Sequence, residues 1–211
     1  AKFNLYIVEL PGHNFIKYSE NDLYSFSKKI YLFLKKKNIR KITFFAHSLG
    51  GLIPIILVKN FIKKKIFISN FINYEGNLTK YDTETLTKKT VSYNKNEFIS
   101  RKFKNLVKKV ECSGNIFLRY WCRSLKKTSP YAFYDLSNQC VKLSESNMLL
   151  NFFKTFFKKK VYIYGENTQL KVSKYTFGSV RYEIKNSGHF SFFESKSDFS
   201  GIFRKLLLKK Y

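Results

Sequence analysis

The sequence has too few cysteines, in the wrong arrangement, for a disulfide framework or a zinc site. Its 211 residues contain only Cys112, Cys122 and Cys140, and no two of them form a C-x-x-C pair. Disulfide-stapled secreted domains use an even number of cysteines, and structural zinc sites use paired ones. This scarcity favours a reducing compartment, so we expect a cytoplasmic protein that binds no metal and needs no other cofactor.

Long apolar runs are also missing. The longest extends only from Leu52 to Val58 and contains Pro54, whereas a helix that crosses a bilayer needs about 20 apolar residues. We therefore expect no membrane span. Apolar residues nevertheless make up 44% of the chain, which is enough for one medium-sized domain with a full core.

Acidic residues are scarce as well. The chain has 14 Asp and Glu against 40 Lys and Arg, for a formal net charge of +26, and such a charge is typical of proteins that bind nucleic acid or anionic surfaces. Here the excess is nearly all lysine, without a recognisable nucleic-acid-binding motif. The lysine runs at 35–37, 63–65 and 158–160 each close a helix-like stretch before a strand. In a parallel sheet such connections lie opposite the ligand-binding edge, so we expect no nucleic-acid partner.

The rest of the chain alternates between strand-like and helix-like segments. The strand-like segments are Phe3–Leu10, Ile42–Phe45, Ile66–Tyr74, Tyr162–Gly165 and Val180–Ile184. Helical spacing of apolar residues occurs between most of them, and again near the end of the chain. This alternation predicts a mostly parallel sheet with right-handed crossovers and helices on its faces.

The segment from Phe44 to Gly51, FFAHSLGG, has the pattern of a nucleophile elbow. It differs by one residue from G-x-S-x-G, follows apolar strand formers and precedes an apolar helix-like run. The small residues Ala46 and Gly50 are expected to relieve crowding two positions before and after Ser48. Such a turn exposes the Ser48 hydroxyl and leaves the Leu49 N–H free to bind an oxyanion. The alternative is a strand-to-helix turn with an incidental serine.

Four segments, in order along the chain, resemble motifs of the α/β-hydrolase family. They are Glu9–His13 (ELPGH), Ala46–Gly51 (AHSLGG), Tyr162–Glu166 (YIYGE), and Ser187–Phe190 (SGHF) with Glu194. The resemblance implies a mostly parallel central sheet flanked by helices, with a helical cap inserted into it. It divides the chain into a first core part, 1–76, with the elbow, a cap or lid, 77–147, and a second core part, 148–211, with the catalytic histidine.

The same resemblance makes Ser48 the nucleophile and His189 the general base. The family's usual acid position falls on Thr168, which cannot carry a negative charge. We therefore predict Glu75 as the acid, because it follows the Ile66–Tyr74 strand at the same sheet edge, where haloalkane dehalogenases and certain lipases carry theirs. Glu166, beside the turn, is the alternative acid.

These residues predict a serine hydrolase that cleaves a small-molecule carboxylic ester or thioester through a Ser-His-acid triad and an acyl-enzyme intermediate. Two alternatives remain open. One is a catalytically impaired α/β-hydrolase-fold binding module, and the other is a hydrolase that acts on an acyl group presented by an acidic carrier protein. If residues precede Ala1 in the natural protein, we expect a strand ending in His-Gly about 25 to 35 residues before Pro11, with a second oxyanion donor. The sequence contains no signal of an oligomeric state.

Overall fold

One parallel sheet forms the centre of the molecule. The computed structural model describes residues 4–18, 22–62, 66–168, 176 and 178–208, and within them four strands pair in the order β1-β2-β3-β4. The strands are β1 (Lys41–His47), β2 (Phe67–Tyr74), β3 (Lys160–Gly165) and β4 (Val180–Ile184). The predicted α/β class with a mostly parallel sheet is therefore confirmed.

Helices connect and cover these strands. They are α1 (Leu23–Lys36), α2 (Leu52–Asn60), α3 (Thr87–Val91), α4 (Lys95–Glu97), α5 (Phe103–Glu111), α6 (Ile116–Leu125), α7 (Pro130–Glu145), α8 (Met148–Thr155), α9 (Ser191–Glu194) and α10 (Lys196–Leu208). Short 3₁₀ turns span Ser48–Gly51 and Lys80–Thr83, and a π turn spans Phe98–Lys102. Among the described helices, none combines the length and apolarity needed to cross a bilayer.

Apolar side chains cover the sheet on both faces, as parallel sheets require. On one face, Phe71 of β2 packs against Phe153 and Phe157, with ring centroids 5.5 and 4.7 Å apart. On the other face, Phe45 of β1 meets Phe199 and Phe203 of α10. Helix α2 is buried from Leu52 to Val58. These contacts fix the strand ends, and hence the loops that follow them.

The helices between β2 and β3 have an apolar cluster of their own. Its buried members are Phe98, Phe103, Val110, Cys122 and Leu125. Phe133 of α7 packs on two of these rings, whereas Leu136 and Cys140 of the same helix join the main core. Helix α7 thus contacts both clusters, and the division of the chain at residues 77 and 147 stays a prediction.

The strand predicted for Phe3–Leu10 is absent from the described residues of that segment. Residues 4–10 have no regular secondary structure, and the side chains of Leu5 and Ile7 are 79% and 80% exposed. Phe3 lies outside the described residues. A strand needs a hydrogen-bonding neighbour as well as β-forming residues, and none of the four described strands pairs with this segment.

The two lysine runs that the structure describes, at 35–37 and 158–160, lie where a helix connects to the following strand, as the sequence predicts. Lys35 and Lys36 occupy the last turn of α1, where positive charge interacts favourably with the helix dipole. The run at 158–160 leads into the first residue of β3. Both runs thus precede a strand and lie at the amino-terminal edge of the sheet. The run at 63–65 is outside the described residues.

Candidate active site

Ser48 follows β1 directly and has a strained backbone. Its φ angle is +54°, in the left-handed region that residues with side chains rarely adopt. The turn is crowded at Gly51, where an added Cβ would lie 2.8 Å from Gly76 Cα, and it is open at Gly50, where a Cβ would meet nothing within 4 Å. The role of Ala46 and Gly50 in relieving crowding at Ser48 stays a prediction. A contact from a distant part of the chain requires a glycine at position 51, because the backbone after β2 passes against it.

Glu75 follows β2 at the same edge of the sheet, and its side chain is 1% exposed. Oε2 lies 2.5 Å from His189 Nδ1. Oε1 accepts hydrogen bonds from the Gly165 N–H and the Thr168 hydroxyl, both at 2.7 Å. A buried carboxylate is tolerated when several donors surround it. Both oxygens of Glu75 thus have partners, and one partner is the candidate base.

His189 lies in the loop between β4 and α9, with its side chain 38% exposed. The loop is tightly bonded: the Gly188 N–H donates to the Glu194 carboxylate, and the hydroxyls of Ser187 and Ser191 are 2.8 Å apart. Because Glu75 faces Nδ1, Nε2 is the imidazole nitrogen that remains for other chemistry. The structure thus brings the predicted base and the predicted acid into contact.

Glu166 follows β3 but has different partners. Its side chain is 37% exposed and lies 3.0 Å from Lys185 Nζ, and Oε2 accepts the Asn186 N–H at 2.8 Å. That backbone N–H and the Lys185 ammonium lower the pKa of Glu166. Within the described residues, its carboxylate has no hydrogen bond to His189. The alternative acid is therefore not brought to the base.

Thr168 is the residue that sequence reasoning missed. At this position the family resemblance indicates an acid, and the sequence alone gives the threonine no role. In the structure its hydroxyl donates to Glu75 Oε1, so it contacts the carboxylate that is predicted as the acid. The available signal was that β2 and β3 are neighbours, so residues after their carboxyl ends meet at one edge.

Aromatic residues of α6 lie against the histidine loop. The Trp121 and Phe190 rings are 6.0 Å apart, and Phe190 is 5.3 Å from the His189 ring. Tyr120 contacts Phe193 at 5.3 Å. The histidine therefore has an apolar wall formed by α6 and by its own loop.

Leu49 is the second residue of the 3₁₀ turn that starts at Ser48. First-turn N–H groups have no partner within their own helix, and the oxyanion role of Leu49 stays a prediction.

The Pro11-Gly12 loop contacts the start of α7, where the Gly12 carbonyl accepts the Ser129 N–H at 2.6 Å. Among the described residues, no group of three His, Cys, Asp or Glu side chains is arranged to hold a metal ion.

Comparisons with known proteins show similarity in structure only. No family model matches the sequence, and no curated protein matches it. Solved structures do match. A carboxylesterase of the thaumarchaeon Nitrososphaera gargenis has a TM-score of 0.73 and 16% identity, with 94% of this chain and 77% of that chain covered. MenH from S. aureus has a TM-score of 0.72 and 16% identity, with 95% and 81% covered.

A third match is the N-acyl homoserine lactonase AidH, with a TM-score of 0.66 and 12% identity, and with 94% of this chain and 76% of that chain covered. Each alignment covers nearly the whole of this chain, so the likeness is not limited to the elbow. Identities of 12 to 16% are evidence for a fold rather than for a substrate. The chain has the α/β-hydrolase fold.

Proposed function

We propose that this chain is a serine hydrolase that cleaves a carboxylic ester or thioester. The observation that carries the proposal is the 2.5 Å contact between His189 Nδ1 and Glu75 Oε2, at the sheet edge where Ser48 occupies a left-handed turn. A buried carboxylate on one imidazole nitrogen fixes the histidine tautomer and stabilises the imidazolium that forms during the reaction. Serine catalysis requires such a pair of base and acid, and the reaction of Ser48 with His189 is part of the proposal.

In the first half of the reaction, Ser48 Oγ attacks the acyl carbonyl carbon while His189 Nε2 takes the hydroxyl proton. The carbonyl oxygen becomes an oxyanion, to which the Leu49 N–H donates. The tetrahedral intermediate then collapses. The bond to the alcohol or thiol breaks, and that leaving group departs with the proton from His189.

In the second half, His189 takes a proton from water, and the resulting hydroxide attacks the acyl carbon on Ser48. Collapse of the second tetrahedral intermediate releases a carboxylic acid and returns the proton to Ser48 Oγ. Glu75 stays ionised throughout and accepts the Nδ1–H of His189. No cofactor takes part in the proposed reaction.

The apolar wall that Trp121 and Phe190 form beside His189 favours a neutral acyl group with an apolar body. The structural neighbours include an esterase and a lactonase, both of which open an acyl–oxygen bond. At 12% identity they support the class of bond only. The acyl chain itself is a matter for substrate profiling.

The test is hydrolysis of p-nitrophenyl acetate, butyrate and octanoate, and of the matching acyl thioesters, by the purified chain. We expect turnover that falls by about 10³-fold or more in Ser48→Ala, with an unchanged melting temperature. A folded protein that hydrolyses none of these substrates would support a binding module instead. Turnover only of acyl groups on an acidic carrier protein would support the carrier alternative.

A further inference from the structure

The backbone carbonyl of His189 accepts two side-chain hydrogen bonds, from two different strands. Tyr74 Oη donates at 2.8 Å, and His47 Nε2 lies 3.0 Å away. His47 is the residue before Ser48, at the end of β1, and Tyr74 is the residue before Glu75, at the end of β2. We call this pair of contacts the carbonyl clamp.

We propose that His47 and Tyr74 are positioning residues that fix His189 relative to the nucleophile and the acid. The inference rests on the proposed function, since it assumes that Ser48, His189 and Glu75 react together. Each clamp residue is joined by one peptide bond to one of the other two members. A displacement of β1 or β2 would therefore move the base together with its partner, and the relative geometry of the three groups would be kept.

His47 can donate to this carbonyl only with a proton on Nε2, because a carbonyl oxygen only accepts. Its ring stacks on Tyr74, with centroids 4.6 Å apart and 18° between the planes, and it lies 4.5 Å from the His189 ring. Burial, followed by the charge of His189, lowers the pKa of His47 to about 3. A neutral His47 places no second positive charge beside the imidazolium that His189 forms.

The Tyr74 hydroxyl makes hydrogen bonds to the backbone of the segment that contains His189. It donates to the His189 carbonyl and accepts the Ser191 N–H at 2.7 Å. The side chain is fully buried, and burial raises the pKa of its hydroxyl, so it keeps its proton. Removing this oxygen takes one hydrogen-bond partner from the His189 carbonyl and one from the Ser191 N–H, while the ring still fills its space.

The test compares Tyr74→Phe with Tyr162→Phe. Tyr162 lies on the neighbouring strand β3 and is also fully buried, but its hydroxyl has no hydrogen-bond partner among the residues that the structure describes. It is therefore a matched control for loss of a buried phenol oxygen. A small misplacement of a reacting group can cost about 10²-fold in rate. We expect kcat of Tyr74→Phe to fall by about 10- to 100-fold with KM nearly unchanged, and kcat of Tyr162→Phe to stay within about 2-fold.

A second pair of variants covers the case in which Tyr74→Phe does not fold. His47→Gln keeps an N–H donor at a similar reach, whereas His47→Leu removes it. We expect the Gln variant to retain most of the turnover and the Leu variant to lose about 10-fold or more. Equal turnover of the two variants would overturn the role of His47.

A readout that needs no turnover separates this inference from the proposed function. The proton shared by His189 Nδ1 and Glu75 should give a far-downfield proton NMR signal, which we expect to weaken in Tyr74→Phe and to persist in Tyr162→Phe. If the wild type hydrolyses esters and both variants match it by kinetics and NMR, the carbonyl clamp is wrong and the proposed function stands. If the wild type is inactive and only Tyr74→Phe loses the signal, the proposed function fails and the clamp stands.

Discussion

The ends of β2 and β3 are neighbours on one sheet edge, and each is followed by a glutamate, yet the two carboxylates have opposite surroundings. Glu75 is 1% exposed and bonded to His189, Gly165 and Thr168. Glu166 is 37% exposed and paired with Lys185. A position after a strand end does not by itself determine the surroundings of a carboxylate. The loops after the neighbouring strands determine them: these loops enclose Glu75 with neutral donors and an imidazole, and they leave Glu166 beside a surface lysine.

This difference has an electrostatic consequence. An exposed ion pair is screened by water and salt and contributes little, so the charge of Glu166 has little influence beyond Lys185. The buried carboxylate of Glu75 acts in a lower dielectric, where its interaction with a developing imidazolium is stronger. The proposed acid is thus the one whose charge the protein has isolated from solvent.

Substituting each of the two glutamates is expected to give the largest difference in kcat. Glu75→Gln removes the charge that orients His189, so we expect kcat to fall by about 10³- to 10⁴-fold with the fold retained. Glu166→Gln is the matched control, and we expect its kcat to stay within about 2-fold of wild type. Steady-state ester hydrolysis measures both.

Two results would contradict this assignment. The opposite ranking would move the acid to Glu166. Mild effects in both variants of an active enzyme would leave Ser48 and His189 as a dyad. Circular dichroism and melting temperatures would show whether Glu75→Gln keeps its fold, because an amide at a buried position has one donor group that must find an acceptor.

A smaller effect is expected at the end of β3, where Thr168 supplies a hydroxyl to Glu75. Thr168→Val keeps the shape and removes the donor, whereas Thr168→Ser keeps the donor. We expect kcat to fall by about 10-fold in the Val variant, because one carboxylate oxygen loses a hydrogen bond, and to stay close to wild type in the Ser variant. Equal turnover of the two variants would show that the hydroxyl only fills space.

Local patterns and sheet topology were sufficient for much of this structure. A strand, a small-residue turn and an apolar run adjoin in sequence, and this pattern predicts the elbow at Ser48. The contact of Glu75 with His189 agrees with the topological argument that residues after parallel strands meet at one edge. Their catalytic roles stay predictions.

The features that could not be predicted depend on pairing and loop placement. The segment at 4–10 has the composition of a strand but no neighbour to pair with in the described sheet, and composition contains no information about a neighbour. The crowding at Gly51 arises from the backbone at Gly76, which is distant in sequence. The hydrogen bonds of Thr168, His47 and Tyr74 all reach loops whose course is set by tertiary packing.

The smallest effect concerns stability rather than rate. The pKa of His47 is about 3 in the folded chain and about 6.5 when unfolded, so the unfolded state binds more protons between these values. The contribution of His47 to stability is therefore fully present above about pH 6.5 and falls as the pH drops below it, by up to about 1.4 kcal/mol per pH unit. Glu166, at the exposed end of β3, should make no such contribution between pH 7 and about 5.

Urea unfolding at several pH values between about 7 and 5 measures this difference. We expect His47→Gln to have a flatter pH dependence than wild type and Glu166→Gln to keep the wild-type slope over that range. Burial raises the pKa of Asp82 to about 6, which acts in the opposite direction, but this contribution is common to all three proteins and cancels in their differences. Parallel slopes for wild type and His47→Gln would mean that His47 titrates normally in the folded chain.

Covalent labelling with a fluorophosphonate tests whether Ser48 is an activated nucleophile. We expect a single adduct, located by peptide mass spectrometry on Ser48, that is absent in Ser48→Ala and forms at least about 10²-fold more slowly in Glu75→Gln. Labelling in Glu166→Gln should match wild type. A folded wild-type chain that forms no adduct, or forms one on another serine, would show that Ser48 is not the activated nucleophile.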